Sequence, residues 1–465
     1  MTKRPNILLF LTDDQRFDTI HALGNEQIHT PNLDALVNRG TTFTHAHIPG
    51  GTCPAVCMPS RAMLNTGRTL FHLEREGQQV PSEHTTIGGC FRSAGYSTFG
   101  TGKWHNGRGS YARSFSSGDE IFFGGMADHW NVPAYHFDPM GKYDSTCPLV
   151  VDPFESNEVT LRECDHISAG KHSTELFVDS SVRFVKSQDS SAPFLMYVSL
   201  MAPHDPRTMP EEFLKMYDPA KIELPDNFLS EHPIDTGALK VRDEMLAAFP
   251  RDPEEIKKHI AEYYAIISHL DHEFGRLVET LREEDKLDHT IIVLAGDNGL
   301  AIGQHGLMGK QNLYEHSVRV PLVFAGPGIP EDQQRSDPTY LLDIFPTLCE
   351  LTDIEIPESV EGHSLAGSIR ESTRSARSSL YLAYGDSIRG VSNGRHKLIE
   401  YASGDTQLFD LSNDSGETNN IAQEDEAANL LQQMRTQLLT HSQDWDDKSH
   451  PTGRVFWSKR CDLTA

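Results

Sequence analysis

A cysteine and an arginine one helical turn apart stand out in the stretch TCPAVCMPSRAMLNTGR at residues 52–68. Pro59 suits the first turn of a helix and Gly67 suits the position after its end, so a helix with Cys57 at its N-terminus is predicted. Backbone N–H groups at a helix N-terminus favour negative charge. We therefore expect Cys57 to have a lowered pKa and an anion-binding neighbourhood that includes Arg61. Arg68 is expected two turns beyond Arg61 on the same helix face.

The same spacing also fits less reactive arrangements. Cys57 could be a buried thiol, or it could form a disulfide with Cys53, and the spacing alone leaves these readings open. The chain has 7 cysteines in 465 residues. That number is odd and sparse, which argues against a disulfide framework and favours Cys53 as an unpaired packing residue.

Two pairs of carboxylate and amide side chains follow short apolar segments. Asp13 and Asp14 come after NILLFLT, and Asp297 and Asn298 come after HTIIVLAG. Carboxylate and amide oxygens are hard ligands, which suit Ca²⁺ or Mg²⁺ and not zinc. One such pair often forms only a capping turn, but two pairs at the ends of neighbouring strands favour a metal site.

A third group of candidates carries positive charge or exchangeable protons. Its members follow strands or lie in glycine-rich loops: Lys103, His105, His204, His305 and Lys310. Any one of them alone would also fit a solvated or structural side chain. A divalent metal with clustered Lys, Arg and His side chains is what a tetrahedral oxyanion requires, because negative charge moves onto a leaving oxygen.

Short apolar segments that run directly into polar residues are predicted to be strands. They lie at residues 6–12, 96–102, 192–206 and 289–299, with helical patterns between them, notably at residues 173–188 and 253–286. This alternation predicts an α/β fold with a large mixed, mostly parallel sheet flanked by helices. Because ligands sit beyond the carboxyl ends of parallel strands, the polar residues at the ends of these strands are expected to converge there. They are Asp13, Asp14, Lys103, His105, His204, Asp297 and Asn298.

The character of the sequence changes near residue 370. Residues 378–411 predict several short strands with turns, and residues 425–443 predict a helix. We expect a catalytic α/β domain at residues 1–370 and a C-terminal subdomain at residues 371–465. The subdomain is expected to combine a small antiparallel sheet with one helix, and the linker is placed at residues 367–379.

Charge and hydropathy restrict the partners. Lys and Arg number 41 against 67 Asp and Glu, which gives a net charge of −26, so nucleic acid is not expected as a partner. No apolar run reaches the roughly 18 to 20 residues of a membrane span, and a soluble protein without membrane contact is expected. The first residues carry no export signal, which predicts a cytoplasmic chain, or a periplasmic or secreted one if a leader was removed.

The segment CMPSRAMLNTGR resembles the CxPSR signature, with its trailing TGR, of the type I sulfatases in the alkaline phosphatase superfamily. PNILLFLTDDQR, GTGKWH, APHDP, GDNG and GKQNLYEHSVRVPL occur in that family's order and approximate spacing, and QLFDLSNDSGETNNIA resembles its C-terminal signature. The similarity spans residues 6–327. It implies an alkaline phosphatase-like fold and the hydrolysis of sulfuric esters.

The resemblance also implies roles for the candidate residues. Cys57 would be oxidised to Cα-formylglycine by a formylglycine-generating or sulfatase-maturing enzyme, and the hydrated gem-diol would attack sulfur. One Ca²⁺, in preference to Mg²⁺, would be held by Asp13, Asp14, Asp297, Asn298 and position 57. Asn298 stands where some relatives have histidine, and its oxygen donor favours Ca²⁺.

The remaining implied roles concern the diol, the sulfate and the leaving group. Arg61 and His105 would orient the diol and later help to release sulfate. The sulfate oxygens would be bound by Lys103, His204 and Lys310, with His204 or Lys310 protonating the leaving alcohol and His305 placed beside the leaving group.

The expected substrate is a sulfated carbohydrate from which a terminal sulfate is removed in exo fashion, or another small sulfate ester, because an acidic chain attracts long polyanions weakly. Two alternatives stay open. One is a phosphonate monoester or phosphodiester hydrolase of the same superfamily, against which the GKWH motif argues. The other is an inactive relative that binds sulfated glycans. Residues 110–164 and 208–253 are expected to determine specificity, but they carry no recognisable motif.

Overall fold

The computed structural model describes residues 4–152, 154–189, 191–371 and 375–464. Its strands are β1 Asn6–Thr12, β2 Gly40–Phe43, β3 Ala46–His47, β4 Gly50–Gly51, β5 Ser97–Lys103, β6 Ser117–Phe122, β7 Pro133–Ala134, β8 Thr146–Val150, β9 Val159–Glu163, β10 His166–Ile167, β11 Phe194–Ser199, β12 Thr290–Gly296, β13 Leu322–Ala325, β14 Gln333–Arg335, β15 Thr339–Tyr340, β16 Leu380–Tyr384, β17 Ile388–Ser392, β18 His396–Tyr401 and β19 Thr406–Asp410.

The α-helices are distributed along the whole chain. They are α1 Pro31–Asn38, α2 Cys57–Thr66, α3 Ile87–Ser93, α4 Arg108–Ser114, α5 Ser173–Ser187, α6 Glu211–Leu214, α7 Pro253–Glu283, α8 Glu315–Val318, α9 Ile344–Leu351, α10 Ala366–Arg370, α11 Ala428–Asp444 and α12 Pro451–Lys459. In the described part of the chain, none of these helices is both long enough and apolar enough to span a bilayer.

The large sheet has eight strands in the order β14-β2-β13-β12-β1-β11-β5-β6. The central strands β12, β1, β11 and β5 pair in parallel, and β13 runs antiparallel to both β12 and β2. The expected mixed, mostly parallel sheet is therefore confirmed. The sequence did not reveal the antiparallel β13 or its neighbour β2, because each has only four residues and lies far from its partner in sequence.

Strand β1 shows why the central strands are uniformly apolar. Leu8 and Phe10 face one apolar core, which also contains residues of α5 and α7, whereas Ile7, Leu9 and Leu11 face a second core on the other side of the sheet. Both faces are thus covered, and every residue of β1 is buried. This is the usual reason why parallel strands lack polar alternation.

A second sheet of five strands has the order β19-β18-β17-β16-β4. Strands β16 to β19 form an antiparallel meander with α11 packed beside it, which confirms the small C-terminal sheet and helix. Its fifth strand, β4, comes from residues 50–51 and precedes the helix that carries Cys57. The proposed linker begins within helix α10, and its residues 372–374 lie outside the described part of the chain. The division at residue 370 stays a prediction.

Candidate functional site

Four adjacent strands, β12, β1, β11 and β5, deliver polar residues to one edge of the large sheet. Asp13 follows β1, Asp297 follows β12, His204 lies beyond β11, and Lys103 is the last residue of β5. The loops are held together by backbone bonds from Asp13 N to the Ala202 carbonyl at 3.0 Å and from Asp297 N to the Thr12 carbonyl at 2.9 Å. The structure therefore brings these strand ends together, as the sequence predicted.

Two residues leave these strands in the left-handed backbone region. Asp14 has φ 63° directly after β1, and His105 has φ 68° just after β5. Non-glycine residues adopt this region uncommonly, although Asp and His do so more often than most. Such positions cluster at functional sites, where the surrounding contacts hold an otherwise unfavourable backbone.

Arg61 is the central cation of the site and is fully buried. Its guanidinium donates to Asp297 Oδ2 at 2.7 Å and to Asp13 Oδ2 at 3.2 Å, and also to the Lys103 carbonyl at 2.9 Å. Lys103 Nζ is a second partner of Asp13 Oδ2. Arg61 therefore ties helix α2 to the ends of three strands.

Cys57 is the first residue of α2, as predicted, and its side chain points into the site. Its Sγ lies 3.5 Å from Lys103 Nζ and 3.5 Å from His105 Nδ1. The predicted lowering of its pKa is wrong. Burial raises the pKa of the Cys57 thiol above its ordinary value, and this outweighs the lowering effects of Lys103 and Lys310. Cys53 is buried without a disulfide to Cys57.

The acidic residues present oxygen atoms that could bind a metal ion. Asp13 Oδ1 and Asn298 Oδ1 are buried and have no hydrogen-bond partner among the residues that the structure describes. Ligand atoms of Asp13, Cys57 and Asp297 lie within 4.8 Å of one another, and those of Asp13, Asp14 and His204 form a similar group. Unsatisfied buried oxygens are rare in folded proteins. Their hard donor chemistry fits Ca²⁺.

The buried charges of the site are closely balanced. Burial would raise the pKa of Asp13, but Lys103 and Arg61 outweigh it and hold that pKa well below its usual range. For Asp297, burial together with the negative charge of Asp13 raises the pKa to about 6. A divalent cation beside these oxygens would favour their charged forms, because an opposite charge offsets the cost of burial.

His204 and Lys310 lie beside the carboxylate of Asp14. His204 Nε2 lies 3.6 Å from Asp14 Oδ2, and its Nδ1 lies 2.7 Å from the Asp205 carbonyl. Lys310 Nζ donates to Asp14 Oδ1. Because Nδ1 donates to a carbonyl, the Nε2 of His204 is the ring atom directed into the site.

Two residues singled out in the sequence lie elsewhere. His305 stacks on Tyr314 with ring centroids 4.0 Å apart, and its Nε2 lies 3.2 Å from Asn227 Nδ2, so the structure does not bring it into the cavity beside Cys57. Arg68, expected on the same helix face as Arg61, follows the end of α2 and pairs with Glu361 at 3.1 Å. Neither residue contacts Cys57.

The site opens into a cavity of about 220 Å³, which we call the catalytic cavity. It is lined by Pro54, Ala55, Cys57, His105, Gly125, Met126, His204, Val241, Arg242, Asp243, Lys310 and Gln311. Sequence reasoning did not single out Arg242, Asp243 or Gln311, although residues 242 and 243 fall within the segment 208–253 expected to determine specificity. Gln311 Nε2 donates to Asp243 Oδ2 at 2.7 Å, and Arg242 pairs with Asp243. Gln311 adjoins Lys310 in the GKQ motif, but nothing in the sequence around residue 243 indicates a site.

Comparison with known protein families gives a match to the Sulfatase model over residues 5–354. A second model, described as N-sulphoglucosamine sulphohydrolase, C-terminal, matches residues 303–444.

Individual relatives extend the comparison to nearly the whole chain. The chain is 28% identical over 458 residues to an arylsulfatase of Clostridium perfringens, covering 94% of each protein. A solved structure described as a complex with its substrate D-glucosamine-2-N,6-O-disulfate superposes with a TM-score of 0.72 at 21% identity, covering 96% of this chain and 99% of the other. The phosphonate monoester hydrolase of Agrobacterium radiobacter superposes with a TM-score of 0.74 at 21% identity, covering 95% of this chain and 96% of the other.

Proposed function

The chain belongs to the sulfatase family and is a sulfuric ester hydrolase, and from this premise we propose that it removes a terminal sulfate from a sulfated sugar through a formylglycine at position 57 and one Ca²⁺. The observation that carries this proposal is the environment of Cys57. Its Sγ lies 3.5 Å from both Lys103 Nζ and His105 Nδ1, beside the group of buried acidic oxygens. The Sγ atom marks where the hydroxyl groups of a hydrated formylglycine would lie.

The cation is assigned to the oxygens of Asp13, Asp14, Asp297 and Asn298. Asp13 Oδ1 and Asn298 Oδ1 support this assignment because, in the described part of the chain, neither oxygen has a hydrogen-bond partner. When bound, the ion would supply positive charge to the sulfate oxygens and favour ionisation of the attacking hydroxyl. Asn298 contributes a neutral oxygen, which suits a hard cation.

The side chains around position 57 bind the sulfate and transfer protons during the reaction. One hydroxyl of the diol gives its proton to the Asp297 carboxylate, which lies within 4.8 Å of Sγ, and attacks sulfur while the bond from sulfur to the sugar oxygen breaks. Lys310, or His204 in its imidazolium form, gives a proton to that sugar oxygen. Lys103, with Lys310, holds the sulfate oxygens. His105 then takes the proton of the second hydroxyl, so that the bond between carbon and the sulfated oxygen breaks, sulfate leaves and the aldehyde returns. Burial, with Lys103 and Arg61, lowers the pKa of His105, which suits a base.

A sugar substrate is supported by the names of relatives. Among them are a Bacteroides thetaiotaomicron N-acetylglucosamine-6-O-sulfatase, 24% identical, and a Formosa agariphila ulvan-active sulfatase, 26% identical. The small catalytic cavity suits a single terminal group better than the interior of a polymer. The proposal also requires a formylglycine-generating or sulfatase-maturing enzyme as a transient partner.

Mass spectrometry of the tryptic peptide that contains position 57 tests the modification directly. We expect a peptide with an aldehyde at Cys57 and an alkylatable thiol at Cys53. The Cys57→Ala variant should lose turnover of an aryl sulfate while its melting temperature stays close to that of the wild type. Cys53→Ala is the matched control and should keep turnover. Full activity in the Cys57→Ala variant would contradict the assignment of the nucleophile.

The alternative phosphodiesterase activity has its own test. Turnover of an aryl sulfate is compared with that of an aryl phosphodiester and an aryl phosphonate monoester. The proposal predicts the largest kcat/KM for the sulfate. Faster cleavage of the phosphodiester would assign the chain to the alternative activity.

A further inference from the structure

A second cavity of about 520 Å³ adjoins the catalytic cavity, and we call it the outer cavity. Both cavities are lined by His105, Gly125 and Met126. A Cβ atom on Gly125 would lie 3.0 Å from His105 Nε2. Because glycine has no side chain, the passage between the two cavities is wider here than it would be with any other residue. Sites for small molecules usually have about 300 to 1,000 Å³. The catalytic cavity alone falls below that range, whereas the outer cavity lies within it, which indicates that the substrate extends beyond the sulfated group.

The outer cavity has a wall suited to a sugar ring. Arg108, at the start of α4, lies over Tyr135 with its guanidinium carbon 5.7 Å from the ring centroid and over Phe123 at 6.0 Å. Glu163 accepts a hydrogen bond from the same guanidinium. Tyr135 is buried beneath Arg108, so the half-buried ring of Phe123 supplies the apolar contact, and Arg108 with Glu163 supplies the fixed polar groups that a sugar needs.

A second arginine in the outer cavity has no direct ion-pair partner among the described residues, and Asp128 acts on it only through space. Arg162 lies on β9, next to Glu163, and its side chain is exposed. Within the described residues, the Arg162 guanidinium has neither a hydrogen bond nor an ion pair, whereas Arg108 is paired with Glu163. The lining therefore carries two arginines against one glutamate, in a chain whose net charge is −26. This local excess of positive charge opposes the field of the whole molecule.

We propose that the outer cavity binds the sugar next to the sulfated one, and that it selects a sugar with a second anionic group, a carboxylate or a sulfate, which pairs with Arg162. The inference rests on the proposed function, because it takes the sulfate of the substrate to occupy the catalytic cavity. A planar guanidinium binds either anion through two parallel hydrogen bonds. The outer cavity thus makes the enzyme selective for acidic oligosaccharides over simple sulfate esters.

Inhibition of aryl sulfate turnover by defined disaccharides tests this proposal on the matured, calcium-loaded enzyme. Each disaccharide carries one sulfate on its terminal sugar, and the neighbouring sugar carries a carboxylate, a second sulfate or no charge. The variants are Arg162→Ala and Glu163→Gln, with Arg282→Ala as the matched control. Arg282 is an exposed arginine on α7, and its side chain is 60% exposed.

The wild type should bind the two dianionic disaccharides more tightly than the neutral one. Arg162→Ala should weaken binding of the dianions by about tenfold and leave the neutral disaccharide unaffected. Glu163→Gln should strengthen binding of the dianions, because it releases Arg108. Arg282→Ala should leave aryl sulfate kcat/KM and the binding of all three disaccharides unchanged, because Arg282 lines neither cavity.

Two results would overturn the inference: equal binding of charged and neutral disaccharides by the wild type, or an unchanged preference in Arg162→Ala. The carboxylate and sulfate disaccharides distinguish the two sources of the second anion. Failure of the proposed function would look different, because the wild type would then not hydrolyse the aryl sulfate at all. In that case, calorimetry with the same disaccharides and variants still measures whether Arg162 confers the preference.

Discussion

Replacing Arg61 by lysine perturbs the contact on which the whole site depends. The buried guanidinium donates to two carboxylates, those of Asp13 and Asp297, and to the carbonyls of Lys103 at 2.9 Å and Leu200 at 3.3 Å. An ammonium has three donors on one atom, so it cannot serve both carboxylates and both carbonyls. Breaking a buried ion pair costs about 3 to 5 kcal/mol, and we expect about 3 kcal/mol because lysine keeps the charge.

This loss converts into a measurable change in melting temperature. An unfolding entropy of about 2.1 cal/mol/K per residue over 465 residues corresponds to about 1 kcal/mol per degree, so the Tm of Arg61→Lys should fall by about 3 °C. Because Asp13 and Asp297 lose a fixed partner, aryl sulfate turnover should fall by about 10- to 100-fold.

Differential scanning calorimetry and aryl sulfate kinetics measure these two effects. Arg395→Lys is the matched control, because Arg395 pairs with Asp410 on the surface and its side chain is 63% exposed. Its Tm should change by less than about 1 °C and its turnover should not change. If Arg61→Lys matched the wild type in both Tm and turnover, the central role given to Arg61 would be refuted.

Two further predictions concern the metal and pH. Removal of metal with a chelator should lower the Tm. Ca²⁺ at 100 times its Kd should restore about 2.7 kcal/mol of unfolding free energy, and Mg²⁺ should restore less. A Tm that responds to neither ion would contradict the metal assignment. A hydrogen bond to Glu361 at 2.6 Å, with a second to Asp446 at 2.9 Å, raises the pKa of His72. That stabilisation is complete below the unfolded pKa of about 6.5 and is lost as pH rises through the folded pKa. The Tm difference between wild type and His72→Gln should therefore be larger at pH 6 than at pH 8.5, and an equal difference would exclude the ion pairs as its cause.

The sequence predicted the elements whose signals are local. The apolar run before Asp13 and the proline and glycine around helix α2 each lie within a few residues, so their strand and helix follow from short-range rules. The pKa of Cys57 could not be predicted in this way. A helix N-terminus is worth at most about 2 kcal/mol, whereas complete burial of a charge costs more, and the degree of burial depends on the strands that close around the helix.

The two cavities also differ in how far their residues could be predicted from local sequence signals. Residues of the catalytic cavity such as His105 and His204 lie just beyond strands and are therefore recognisable, but Arg162 lies on a hairpin strand that reaches the site only through tertiary packing. The spacing of residues in the sequence does not indicate that this strand lies near the site. Kinetics can distinguish the role of Arg61 from that of Arg162. Arg61→Lys should slow turnover of every sulfate ester alike, because it disturbs the reacting centre. Arg162→Ala should change only the binding of substrates that carry a second anion, because its guanidinium lies outside the cavity where sulfate is cleaved.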